Sequence, residues 1–212
     1  MDYDLDSVDY ILQTTRSVRK RLDLTRQVDE NVVMQCLEIA IQAPTGSNAQ
    51  GWKWLIVTDK EKIAKIGAYY KKSFIAYSSS GSGPKKVDPN QQKRVIDSSF
   101  YLAEHMGDVP MLIFACVSGR TNDVAMAAGL FGSIIPAAWS LMLSLRARGI
   151  GSAWTTLHMA YEKECNAILG IPDNVTTAVM LPIGYFTGES FHKAKRNPAK
   201  DFTYWDTWGN KR

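Results

Sequence analysis

Three short polar stretches carry the residue types that could do chemistry. The first is Arg16-Ser17-Val18-Arg19-Lys20-Arg21, four cations in six residues. Arginine offers planar, forked donors that match a phosphate or carboxylate, and a serine hydroxyl between two arginines adds another donor. The run reads either as an anion site built on Arg16, Ser17 and Arg19 or as a solvated, nuclear-localisation-like basic patch. The second stretch is Pro44-Thr45-Gly46-Ser47-Asn48, followed by Gln50 and the aromatic-aliphatic run Trp52–Val57. Pro44 stops a helix, Gly46 permits close backbone approach, and the Ser, Thr, Asn and Gln side chains supply donors and acceptors. Such a loop either holds a heteroaromatic ligand or simply connects a helix to a strand. The third, Gly149 to His158, reads as turn, short strand and loop.

No acid–base pair, nucleophilic triad or metal cluster competes with these stretches. His105, His158 and His192 are scattered, and His158 reads best as a structural or solvated histidine. Cys36, Cys116 and Cys165 lie far apart without CxxC spacing, which argues against a disulfide framework and a zinc site.

The elements that must position these groups follow from periodicity. At 212 residues, 45% hydrophobic and 22% charged, the chain can build a substantial core. A net charge of +4 suits phosphate-bearing ligands but is too small to argue for nucleic acid. Helices are expected at Ser7–Thr15 with Ser7 as cap, at Val28–Ala43, at Asp59–Lys72, at Asp97–Met106 and at Glu162–Leu169. The longest, Asp123–Ala147, is apolar but broken by Gly129, Gly132 and Pro136, which fits a kinked core helix better than a membrane span. Strands are expected at Trp52–Val57, at the continuous apolar run Met111–Val117 and at Thr177–Phe186, where Pro182 suggests a sheet edge or a bulge. Residues 77–89, rich in Ser, Gly, Pro and Lys, read as a mobile loop that lacks P-loop spacing. The tail over 188–212 carries Phe202, Tyr204, Trp205 and Trp208 and should pack on the body or on a partner chain. Helices alternate with strands, so the class is α/β or α+β. The acidic N-terminus lacks a signal-peptide pattern, and a cytoplasmic location is expected.

Three segments together resemble the FMN-dependent nitroreductase family: Arg16-Ser17-Val18-Arg19-Lys20; Pro44-Thr45-Gly46-Ser47-Asn48-Ala49-Gln50-Gly51-Trp52; and Leu181-Pro182-Ile183-Gly184-Tyr185 with Lys195-Arg196 beyond it. Their order and spacing span nearly the whole chain. The resemblance implies one α+β domain over 1–212, a three-layer α/β/α arrangement with a central mixed sheet, in an intertwined homodimer. It implies an FMN at each of two interface sites. Arg16, Ser17 and Arg19 would bind the ribityl phosphate, joined by Lys195 or Arg196. Pro44, Thr45, Gly46, Ser47 and Asn48 of the partner chain would line the ring, and Gln50 would join them or brace the loop. Thr155, Thr156 and Leu157 would lie near the flavin's reactive nitrogen. Thr15 and Gly51 depart from the family, where many members have Arg and Pro.

The expected activity is two half-reactions, hydride from NADH or NADPH to FMN and electrons onward to a nitroaromatic, quinone or similar acceptor. No catalytic side chain is expected, since the flavin supplies the chemistry. A flavin carrier or sensor without turnover, a flavin-dependent dehalogenase and, further off, a basic nucleic-acid binder are the rival readings.

Overall fold

The computed structural model describes residues 3–80 and 88–212. They fall into two compact units. The larger is Thr15–Gly188; the smaller joins the first fourteen residues to Glu189–Arg212.

The larger unit is built on four strands, β1 (Trp52–Val57), β2 (Met111–Ser118), β3 (Ile150–Ser152) and β4 (Val175–Tyr185), in the order β1-β2-β4-β3. All three pairings are antiparallel, where the resemblance implied a mixed sheet. The reason lies in the connections. β2 and β3 do run the same way, joined through a long helix, but β4 inserts between them and opposes both. The class is α+β, with helices over an antiparallel sheet.

Alternation along β2 sorts the core. Met111, Ile113, Ala115 and Val117 enter a cluster with Val33, Cys36, Leu37 and Ala40 of helix α2 (Glu30–Ala40) and Ile134, Ala138, Leu141 and Leu145 of helix α5 (Val124–Ala147). Phe114, the intervening residue, meets the ring of His158 edge-on at 5.4 Å. Helix α3 (Lys60–Ser79) packs against α4 (Pro89–His105), the 3-10 turn Met106–Asp108 and helix α6 (Glu162–Leu169). α3 approaches that turn closely: a Cβ at Gly67 would lie 2.5 Å from the Gly107 nitrogen.

Helix starts follow aspartate caps. Asp29, Asp59, Asp88 and Asp123 accept from first-turn amides of α2, α3, α4 and α5. Four helices differ in their bounds from those expected. α2 runs Glu30–Ala40 rather than Val28–Ala43, its start set by the Asp29 cap and its end falling before Pro44. α1 runs Leu5–Thr14, and the Ser7 amide and hydroxyl donate to Asp4, so Asp4 rather than Ser7 caps it. α3 continues to Ser79, because the hydroxyls of Ser78 and Ser79 bond back to the Ile75 carbonyl in its last turn. α4 starts at Pro89, whose missing amide hydrogen is no loss at a first helical position. Both helices therefore occupy part of the loop expected at 77–89, and its residues 81–87 lie outside the described ones.

Pro182 lies inside β4, not at an edge. Its carbonyl accepts from Ala153 at 3.2 Å, one residue past the end of β3, so its missing donor coincides with the gap between β3 and the Thr155–Met180 bridge. The bulge lies elsewhere: Ala115 pairs with Val179 and Cys116 with Thr177, leaving Ala178 as the extra residue. α5 runs as one helix through Pro136 and is long and apolar enough to cross a membrane by composition alone. Its buried residues, among them Ala137, Ala138, Leu141, Met142 and Leu145, lie mostly in its C-terminal half, while Val124, Met126, Ile135 and Trp139 are exposed.

Arg120, just after β2, ties three segments together. It makes a forked pair with Glu162 at 2.7 and 3.1 Å and donates to the carbonyls of Asp173 and Val175. The pair is partly exposed, so the carbonyl bonds matter as much as the charge. Arg120→Ala should lower unfolding free energy by about 1–2 kcal/mol in urea titration.

In the smaller unit, α1 leaves Leu5, Val8 and Leu12 exposed. The tail stacks Tyr204 on Trp208 and sets Arg212 over Trp205, with Trp208 90% exposed.

Candidate functional site

The Arg16–Arg21 segment lies along β3. Val18 donates its amide to the Ser152 carbonyl at 2.8 Å, and the Ser17 hydroxyl accepts from the Trp154 amide at 3.2 Å. Gly151 makes this approach feasible, since a Cβ there would sit 3.0 Å from Val18 and Leu22. With Val18 buried inward, Arg19 turns toward the helical layer. Its Nη1 lies 3.4 Å from the Ser98 hydroxyl of α4, and Tyr70 of α3 is its charge neighbour. Burial pushes the guanidinium pKa down, with Tyr70 opposing, and burial likewise raises the Tyr70 phenol. Among the described residues Arg19 makes no ion pair with a carboxylate. A half-desolvated cation beside two hydroxyls and no carboxylate suits an anion from outside. Arg16 is half-buried, and Arg21 donates to the Thr187 carbonyl, bracing the segment.

The chain continues from Trp154 into the third stretch. Thr155 is buried, and its hydroxyl donates to the Met180 carbonyl at 2.7 Å. That hydroxyl serves the sheet. Thr156 is exposed and Leu157 half-buried at the start of a 3-10 turn, so they are the side chains this stretch can offer a ligand. The structure thus brings Ser17 beside Trp154, the residue that leads into Thr155 and Thr156, within the larger unit.

His158, next in line, is buried, and neither ring nitrogen has a hydrogen-bond partner among the described residues. Burial lowers its pKa to about 4, against a smaller opposing pull from Glu162. It is a neutral packing residue. Since an unfolded chain binds this proton below about pH 6.5 and the folded one only below about 4, stability falls with pH across that window. The loss should reach roughly 3 kcal/mol, visible as a falling urea midpoint from pH 7 to 4.5. His158→Leu should remove most of that slope.

The Pro44–Gln50 loop is fixed by other bonds. The Gly46 amide donates to the Ser133 hydroxyl of α5 at 3.2 Å, and the Gln50 amide to the Thr45 hydroxyl at 3.2 Å. Gln50 also donates from its side-chain amide to Asn48, so it braces the loop. Gly46 is not the strained residue: a Cβ there would meet only Ser133 at 3.9 Å. The strain is at Ser47, Asn48 and Gln50, with φ of 52°, 52° and 49°. Three non-glycine residues in the left-handed region form a conformation that surrounding bonds must hold, as functional loops often show. Pro44, Gly46, Ser47, Asn48 and Gln50 are all exposed, presenting polar atoms to whatever covers them. The bonds that fix this loop run to Ser133, whereas those that fix Ser17 and Val18 run to β3 and the turn after it. Lys195 and Arg196 are exposed in the smaller unit, outside regular structure.

Ser98, Tyr70 and Ser133 are the site residues that spacing did not reveal. Ser133 alone left a signal, as a hydroxyl in an otherwise apolar helical stretch.

Comparisons with known proteins agree with this fold. The chain is 23% identical over 201 residues to a putative NADH dehydrogenase/NAD(P)H nitroreductase of Archaeoglobus fulgidus, covering 93% of this chain and 97% of that one. It is 26% identical over 178 residues to an iodotyrosine deiodinase of Thermotoga neapolitana, covering 83% and 87%. Among solved structures, a nitroreductase with bound FMN from Desulfitobacterium hafniense superposes with a TM-score of 0.67 at 17% identity, covering 97% and 100%. The Nitroreductase family model matches residues 12–185, most of the chain and every stretch described above except Lys195-Arg196, and the chain therefore belongs to the nitroreductase family.

Proposed function

We propose that this protein is an FMN-dependent NAD(P)H oxidoreductase that reduces nitroaromatic, quinone or similarly electron-poor acceptors. The observation that carries the reading is Arg19, a half-buried cation with no carboxylate partner among the described residues, beside Ser98 and on the segment that bonds Ser17 to Trp154. Its chemistry fits the FMN phosphate, with Arg16 and Ser17 as neighbours on the same segment. Thr156 and Leu157 would face the ring, and Thr155 would hold their turn in place through Met180. When bound, the flavin takes a hydride from the nicotinamide and passes electrons to the acceptor. The chain's own task is to bind, orient and stabilise charge, so no side chain is assigned a proton-transfer role.

A homodimer is part of the proposal. The exposed apolar residues of α5 and of α1 support a second chain covering them. The Pro44–Gln50 loop, anchored on α5, would then line the flavin held by the other chain. The three buried, free cysteines are in keeping with a reducing, cytoplasmic setting.

The test is the visible spectrum of purified protein, followed by anaerobic titration with NADH and with NADPH. Bleaching of about one FMN per chain, then reoxidation by a quinone or nitroaromatic, is the expected result. A protein that takes up no FMN sinks the reading, and one whose flavin neither nicotinamide reduces becomes a carrier. The iodotyrosine deiodinase relative favours reductive dehalogenation as the second reading. Iodide release from 3-iodotyrosine by the reduced protein, faster than any nitroaromatic turnover, would move it to the front.

A further inference from the structure

We infer that Ser133 is a positioning residue that holds the strained Pro44–Gln50 loop in its ligand-lining shape; the inference rests on the proposal that this loop lines the flavin ring. Ser133 lies on α5, far from the loop in sequence, and reaches it twice. Its hydroxyl accepts from the Gly46 amide at 3.2 Å, and its carbonyl accepts from the Trp52 indole at 2.8 Å. These bonds fall on either side of Ser47, Asn48 and Gln50, the three residues with left-handed backbone. The Ser133 hydroxyl is itself aimed. It donates to the Gly129 carbonyl one turn earlier at 2.9 Å, which leaves its lone pairs facing Gly46.

The physical need is clear. Left-handed backbone is sterically disfavoured at non-glycine residues, least so at asparagine, and the loop has three such residues, Ser47, Asn48 and Gln50. An exposed polar loop under that strain would relax toward ordinary turns unless clamped. The Thr45–Gln50 bond closes it locally; the Ser118 amide, donating to the Gly51 carbonyl at 3.0 Å, and the Trp52 indole hold its far end, and the Ser133 hydroxyl holds it at Gly46. Preorganised loop donors bind a ring edge without the entropy loss of ordering them, and hold the charge of a reduced ring better than mobile ones.

The experiment compares wild type, Ser133→Ala and Ser133→Thr. In flavin-free protein, hydrogen exchange at the Gly46 amide should speed up about tenfold in Ser133→Ala. Its FMN affinity should weaken about tenfold and the midpoint potential of bound flavin become more negative, while Tm changes little. Ser133→Thr, which keeps the hydroxyl, should restore all three. If Ser133→Ala does not fold, Trp52→Phe removes the other tether and carries the same expectation for exchange, affinity and potential. Unchanged affinity and potential, with or without faster exchange, overturn the assignment. A wild type that takes up no FMN overturns this assignment and the proposed function together, whereas a wild type and a Ser133→Ala protein that bind FMN equally overturn this assignment alone.

Discussion

Arg19→Met should strip the protein of flavin and leave the fold as stable as before, or more so. Both halves come from the same observation. Among the described residues the half-buried guanidinium has one long hydroxyl bond and no carboxylate, so the folded chain bears its desolvation without full compensation. An apolar side chain of similar length removes that penalty. With a phosphate in place, the same cation gains a charge-assisted bond in a partly dry setting. Losing it should weaken FMN binding roughly 30- to 150-fold, given about 2–3 kcal/mol for a hydrogen bond to a charged group. Isothermal titration with FMN and a urea melt of the flavin-free protein read the two halves separately. A variant that melts earlier and still binds FMN normally would make Arg19 a structural residue. Lysine should rescue only in part, because an ammonium lacks the forked geometry.

The second large effect is purely steric. Gly67→Ala should lower unfolding free energy by roughly 2–4 kcal/mol, or Tm by on the order of 10 °C. The added methyl would lie 2.5 Å from the Gly107 nitrogen and 2.7 Å from its Cα, and backbone cannot step aside as a side-chain tip can. Gly107→Ala is the internal comparison: its Cβ would come no closer than 3.3 Å, to Ala64, so it should be markedly milder. Differential scanning calorimetry on both variants checks the order; equal melting temperatures would show that α3 and the turn can slide apart.

How much of this was readable beforehand varies with the physics involved. The helices and strands of the larger unit announce themselves because burial repeats every three to four residues in α2 and α5 and is continuous in β2. Their ends were less legible. The run Tyr77-Ser78-Ser79 has loop composition, but those serines can also bond back to a helix carbonyl, and here they do. Asp88-Pro89 was a readable helix start, masked by the Ser, Gly and Pro before it. Pro182 misled because its position relative to a neighbouring strand is a tertiary fact: proline is harmless where the neighbour has just ended.

In the candidate site, the residue types of Arg16–Arg19 and Pro44–Gln50 pointed to anion and ring chemistry. Two things were not written in the spacing. The left-handed backbone falls on Ser47, Asn48 and Gln50, three positions that no glycine marks. The setting of Arg19 depends on Tyr70 and Ser98, which only the packing of α3 and α4 brings near. Thr155 shows the converse, since a hydroxyl at the expected place turns out to serve Met180.

The strand order has a consequence for synthesis. β4 comes last in the chain yet lies between β2 and β3, so β3 has no sheet neighbour until β4 leaves the ribosome. In a nascent chain halted before Val175, β1 can pair with β2 while β2's other edge stays open for the time needed to translate about sixty residues. Folding of the sheet is thus withheld until β4 has been made, and that interval is where this chain most needs a chaperone.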